Sequence, residues 1–163
     1  MPLVMRFNKR TYVSLKDLLK DLILPFRKRK QLREVKNKRL LSPAFRERLM
    51  LAVTAVERCR YCSYFHSKLA LKGGIPQEEI GKLLSGDVQD CPKEEVIAIL
   101  YAQHWAESNA QPDPEAVQKL QEIYGSERAE AIHLMLHMIR LGNLLGNTWD
   151  YLLFRVLFGK WRR

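Results

Sequence analysis

Two consecutive helices are predicted by residues 42–74, SPAFRERLMLAVTAVERCRYCSYFHSKLALKGG. Ser42 is a favourable N-cap residue, and Pro43 suits the first helical position because its missing N–H would have no partner there. Apolar residues at helical spacing continue to Val56. A second helix is expected from about Arg60 to Lys72, ended by the glycine pair that closes the segment.

The rest of the chain continues the helical pattern. One apolar face runs from Thr11 to Leu24, where Pro25 is expected to end the helix. Downstream, proline and glycine positions delimit further helices over about 76–85, 92–110, 113–125, 126–139 and 148–158. No segment alternates apolar and polar β-branched residues as a half-buried strand does. The sequence therefore predicts an all-α helical bundle.

Length and composition describe one globular protein. The 163 residues, with 47% hydrophobic and 28% charged residues, exclude a disordered chain and suffice for one well-packed core. The longest uncharged stretch, Val96 to Ala106, falls short of the ~18 apolar residues of a membrane-spanning helix. Charged residues also interrupt the apolar part of the N-terminus, which argues against a signal peptide. We expect a cytoplasmic protein.

The positive charge is concentrated at the N-terminus. Residues 1–48 hold 15 Lys and Arg against 4 Asp and Glu, whereas residues 49–163 hold 13 against 14. We therefore divide the chain into a basic N-terminal helix or arm, residues 1–40, and a helical domain, residues 41–163. A basic run can bind nucleic acid or an anionic membrane, although a solvated helix face is the more common explanation.

A cluster of cysteine and histidine carries the chemistry. Cys59, Cys62 and His66 are spaced i, i+3, i+7, so all three lie on one face of a helix. The imidazole can accept a thiol proton, and a helix beginning near Cys59 would favour the thiolate through its dipole. Glu47 could orient the imidazole only if the chain turns near Arg58, since twelve residues of continuous helix span about 18 Å.

The pattern Glu-x11-Cys-x2-Cys-x3-His resembles the signature of alkylhydroperoxidase D-like proteins of the carboxymuconolactone decarboxylase family. The resemblance is clear over about residues 43–86 and weaker from there to about residue 158, and residues 1–40 have no counterpart in it. It implies an all-helical homo-oligomer, a trimer or hexamer, that acts as a peroxidase or disulfide reductase. One departure is Tyr61, because the best-known member has a histidine there. The resemblance therefore implies either a weaker peroxidase activity or a different substrate. The family's decarboxylase branch lacks the cysteine pair.

The resemblance also implies roles for the four residues. Cys62 would be the peroxidatic nucleophile and Cys59 the resolving cysteine, with His66 as base and Glu47 completing a proton relay. The substrate would be a hydroperoxide or a disulfide, and a lipoyl- or thioredoxin-like dithiol would regenerate the enzyme. No metal, flavin or haem would be needed.

Several alternatives compete with this interpretation. The cysteines and His66 could bind zinc, although structural zinc normally takes four ligands from separate elements, and the cysteines could simply be small buried hydrophobes. Cys91 has no histidine nearby in sequence and is interpreted as incidental. His133 and His137 are expected in the core or an interface, as is His104.

Two further surfaces suggest partners. The aromatic C-terminal stretch from Trp149 to Trp161 is apolar around most of its circumference, which favours a subunit interface first and a membrane-surface contact second. The rival function is a nucleic-acid- or membrane-surface-binding module that acts through the basic arm and keeps a vestigial redox or zinc site. Nucleic acid is not the first choice, because Phe26 is the one aromatic residue between Leu24 and Leu41.

Overall fold

A computed structural model describes residues 7–158, which form eight α-helices and no strand. The all-α prediction is confirmed. Trp161 and the basic residues around it, together with the first six residues of the arm, lie outside the described residues. The helices are α1 (Leu15–Arg27), α2 (Arg29–Asn37), α3 (Pro43–Glu57), α4 (Arg60–Lys72), α5 (Gln77–Leu84), α6 (Lys93–Glu107), α7 (Pro114–Tyr124) and α8 (Ser126–Phe158).

The helix α3 lies at the centre of the bundle and packs against α4, α5, α6 and α8. Its N-terminus is capped as the sequence predicts, with the Ser42 hydroxyl accepting a hydrogen bond from the Phe45 N–H at 3.0 Å. Phe45, Leu49 and Val53 are completely buried. A helix that is apolar on most sides belongs in the interior, and α3 supplies the framework on which the other helices pack.

The N-terminal region is more helical than predicted. Pro25 lies inside α1 rather than ending it, because its fixed φ is helical and the helix continues for only two more residues. The basic stretch that follows forms α2, whose Val35 is buried in the core. Lysine and arginine are good helix formers, so a charged segment with two or three inward apolar residues suffices for a helix.

The C-terminal third corrects the prediction of two separate helices. The helix α8 runs unbroken from Ser126 to Phe158 through Gly142 and Gly146, where a break was expected. Each glycine costs an interior helix about 0.5–1 kcal/mol relative to alanine, but both face α4, where close packing offsets that cost. Within residues 7–158, no helix combines the length and the apolar character that crossing a membrane would require.

Candidate active site

The turn between α3 and α4 creates the site. Arg58 adopts a left-handed conformation, φ 59°, and its N–H bonds to the Thr54 carbonyl to close α3. The chain then reverses, and Cys59 becomes the N-cap of α4. A single continuous helix through this region would have kept Glu47 far from Cys59. The turn at Arg58 therefore brings Glu47 on α3 close to the cysteine and histidine residues of α4.

Cys59 is a buried thiol at a helix N-terminus. Only 1% of the residue is exposed, and its sulfur accepts a hydrogen bond from the Cys62 N–H at 3.4 Å. The Cys62 thiol also donates to the Cys59 sulfur, and this bond is the main reason that the pKa of Cys59 falls to about 6. The same bond, together with burial, raises the pKa of Cys62 above the ordinary thiol range. At neutral pH the pair therefore holds one proton, on Cys62.

Cys62 faces a cavity that Cys59 does not reach. The cavity measures about 340 Å³ and lies between α4, α3 and α8. Its walls are mostly apolar, and Cys62 and His66 both line it; the remaining residues are Met50, Tyr61, Phe65, Met138, Ile139 and Gly142. A small molecule in this space can therefore contact Cys62 but not Cys59.

His66 and Glu47 form a hydrogen-bonded pair beside the cavity. The His66 Nδ1 lies 2.8 Å from the Glu47 Oε2, and both side chains are largely buried. An ionised carboxylate can only accept, so Nδ1 carries the proton and Nε2 is left as the nitrogen that can accept one. This is the arrangement in which a carboxylate orients a general base.

The wall opposite the cysteines is made of α8 backbone. A Cβ atom added to Gly146 would lie 2.6 Å from the Cys59 sulfur, whereas one added to Gly142 would lie 3.5 Å from the Cys62 sulfur. The distance at Gly146 is much shorter than a van der Waals contact, whereas the distance at Gly142 is an ordinary contact. Gly146 is therefore required for the close approach of α8 to Cys59.

The comparisons with known proteins bear on this site directly. The sequence pattern of the carboxymuconolactone decarboxylase family matches residues 26–107. This chain belongs to that family. No curated protein and no solved structure matched it. The match includes Glu47, Cys59, Cys62 and His66, whereas the glycine wall on α8 lies beyond it.

Tyr61 marks the position where this family member departs from the expected pattern. Its hydroxyl donates to the Asp150 carboxylate at 2.9 Å and accepts from the Arg60 guanidinium at 2.8 Å. Lys9 binds the other Asp150 oxygen at 3.0 Å. Tyr61 thus ties the start of α4 to α8 and lines the Cys62 cavity, which makes it a structural element of the site.

Sequence reasoning missed two buried asparagines of α8. The Asn147 side chain donates to the Glu57 carbonyl at 2.7 Å, and the Asn143 amide oxygen lies 3.3 Å from the Thr54 hydroxyl. Both contacts hold α8 against the last turn of α3. The repeat of Gly-Asn at positions 142 and 146, one helical turn apart, was the available signal.

A buried ion cluster was also missed. Arg48 bonds to Glu79 at 2.5 Å and to Glu95 at 3.1 Å, joining α3, α5 and α6. Cys91 lies beside this cluster, where burial first and then the Glu79 charge raise its pKa to about 11. Such a thiol is protonated and unreactive at neutral pH, which is consistent with an incidental role.

Two of the remaining histidines, His133 and His137, pack against aromatic rings, whereas the His104 side chain is 40% exposed and pairs with Asp113 at 3.1 Å, so it is not a core residue. His133 stacks on Tyr101 with ring centroids 5.3 Å apart and shares a 2.7 Å hydrogen bond with its hydroxyl, and His137 meets Trp105 edge-on at 4.9 Å. Burial lowers the pKa of both histidines. Among residues 7–158, no three of His, Cys, Asp and Glu are grouped as a metal would require.

Proposed function

We propose that the protein is a thiol-dependent oxidoreductase that reduces a hydroperoxide, or a disulfide, with its Cys59 and Cys62 pair. The observation that carries the proposal is the division between the two sulfurs. Cys59 is buried, and its sulfur accepts a hydrogen bond from the Cys62 N–H. Cys62 instead lines an apolar cavity together with His66, whose Nδ1 is hydrogen-bonded to the Glu47 carboxylate.

The peroxide would react at Cys62 rather than at Cys59. The pKa directions favour the thiolate on Cys59, but that residue is only 1% exposed, whereas Cys62 lines the cavity. This difference in accessibility supports attack by Cys62. Cys62 must first lose its proton, and His66 can accept it at Nε2 while Glu47 stabilises the resulting imidazolium. The Cys62 thiolate then attacks the terminal peroxide oxygen. The O–O bond breaks and a sulfenic acid forms, while the leaving alkoxide takes back the proton that His66 received and departs as the alcohol.

Cys59 would then resolve the sulfenic acid. Its thiolate attacks the Cys62 sulfur, the S–S bond forms as the S–O bond breaks, and the hydroxide leaves as water with a proton from solvent. The lowered pKa of Cys59 suits this step, because the resolving group is already ionised when the sulfenic acid appears. A dithiol of the lipoyl or thioredoxin kind would return two electrons through a mixed disulfide.

The walls of the cavity indicate the kind of peroxide. Met50, Phe65, Met138 and Ile139 offer carbon and thioether contacts on several sides. Such a lining binds an organic residue better than it binds water. We therefore expect an organic hydroperoxide to react faster than hydrogen peroxide.

Thiol counting by mass spectrometry tests the proposal. One equivalent of cumene hydroperoxide should remove two thiols from the reduced protein and produce a Cys59–Cys62 disulfide. Cys62→Ser should lose none, and Cys59→Ser should stop at a sulfenic acid that a dimedone-type reagent traps. Cys91→Ser is the matched control and should behave as wild type. Unchanged thiols in a folded wild-type protein would refute the proposal.

A further inference from the structure

The helix α1 exposes a continuous apolar stripe. Leu15, Leu19, Leu22, Ile23 and Phe26 are spaced i, i+4, i+7, i+8, i+11, which places them on one face. Their exposure ranges from 38% at Leu22 to 78% at Phe26, and α1 contains no buried residue. Single exposed leucines are ordinary, but a stripe along a whole helix normally marks an interaction surface.

Contacts with the rest of the protein hold this stripe outward. Asp21, on the opposite side of α1, accepts hydrogen bonds from Tyr12 at 2.7 Å and from Arg140 at 3.3 Å. The Tyr12 N–H donates to Thr148 on α8, which fixes the segment just before the helix. The apolar face is therefore presented by a helix whose other side is fastened to the bundle.

One border of the stripe is basic. Lys16, Lys20 and Arg27 are exposed and lie together along the edge beside Ile23, as helical geometry requires. The helix α2 continues the charge, so that residues 15–38 hold nine Lys and Arg against three Asp and Glu. Exposed apolar residues beside a row of cations are the pattern of a helix that lies in the plane of a membrane surface.

We propose that α1 and α2 form a docking surface for an anionic lipid membrane, with the α1 stripe in the acyl boundary and the basic residues at the head groups. The charge decides between the possible occupants. A second copy placed symmetrically on the stripe would bring two strongly basic segments together, which is repulsive. Nucleic acid would bind the cations but would leave five large apolar side chains in water. The proposal is independent of the cysteine chemistry.

Vesicle co-sedimentation of the full chain tests the surface. Vesicles of phosphatidylcholine with phosphatidylserine should bind the protein, and phosphatidylcholine alone should bind it weakly. Leu19→Glu with Ile23→Glu should weaken binding by more than about tenfold, because each loses an apolar insertion. Replacing Lys16, Lys20 and Arg27 by glutamine should weaken vesicle binding about fivefold for each charge removed at low salt. Leu100→Glu on α6 is the matched control, because Leu100 is 47% exposed and Leu19 is 50% exposed.

The outcomes separate the possible occupants. Light scattering that shows an oligomer in wild type and a monomer in Leu19→Glu with Ile23→Glu would assign the stripe to a second copy and overturn the proposal. Binding to DNA or RNA that survives the glutamate substitutions, with no binding to anionic vesicles, would overturn it as well. Circular dichroism of each variant, matched to wild type, ensures that lost binding is not lost folding.

Discussion

Gly146→Ala tests whether the approach of α8 to Cys59 is essential. The added methyl carbon would lie 2.6 Å from the Cys59 sulfur and 3.1 Å from Cδ2 of Tyr61, so one of these groups must move. Alanine improves helix propensity by about 0.5–1 kcal/mol, whereas overpacking a close contact costs about 1–3 kcal/mol. We expect Gly146→Ala to be destabilised by about 0.5–2 kcal/mol on balance.

Gly142→Ala is the matched control for this substitution. It lies one turn away on the same helix, and its methyl carbon would meet the Cys62 sulfur at an ordinary 3.5 Å. No steric clash then opposes the higher helix propensity of alanine, so Gly142→Ala should be more stable than wild type by about 0.5–1 kcal/mol. The two alanine variants should differ by about 1–3 kcal/mol.

Urea unfolding under reducing conditions measures the difference without a contribution from a disulfide. A second measurement follows Cys59 itself. If the methyl group displaces the Cys59 sulfur from the Cys62 thiol and from the Cys62 N–H, the pKa of Cys59 rises from about 6 towards that of an ordinary thiol. The reasoning would be refuted if Gly146→Ala were as stable as Gly142→Ala and the Cys59 thiolate titrated at an unchanged pH.

Three further predictions concern the site and its support. Because the pKa of Cys59 is lowered to about 6, the ultraviolet absorbance of one thiolate should appear as pH rises through 6, and Cys59→Ser should abolish that step. His66→Gln should slow hydroperoxide-dependent thiol loss by about 10²–10⁴-fold, because it removes the general base. Single-turnover reduction by a small dithiol then measures whether the Cys59–Cys62 disulfide of this variant still reacts. Arg48→Ala should lower the free energy of unfolding, measured in urea, by about 3–5 kcal/mol, because it leaves the buried Glu79 and Glu95 carboxylates without a cation. Lys38→Ala at the exposed Glu127 pair should lower the free energy of unfolding far less than Arg48→Ala does, and equal losses for the two would contradict the burial argument.

Helix prediction succeeded where the signals were local. The Ser42 cap and Pro43, the glycines after Lys72 and the start of α4 beside Cys59 all depend on residues within one or two turns. It was wrong at Pro25, where the helix continues for two further residues, and across Gly142 and Gly146, where close packing against α4 outweighs a weak local preference. A glycine penalises a helix by an amount that one well-packed neighbour can offset.

The sequence by itself determined an all-α chain and one helix face that holds Cys59, Cys62 and His66, because their spacing needs only helical geometry. Tertiary structure alone decided the rest. The turn at Arg58 brings the Glu47 carboxylate to 2.8 Å from the His66 imidazole, and α8 closes over Cys59 at Gly146. These contacts join residues far apart in the chain, so no local pattern encodes their distances. Burial then separates two chemically identical thiols into an enclosed sulfur and an accessible one.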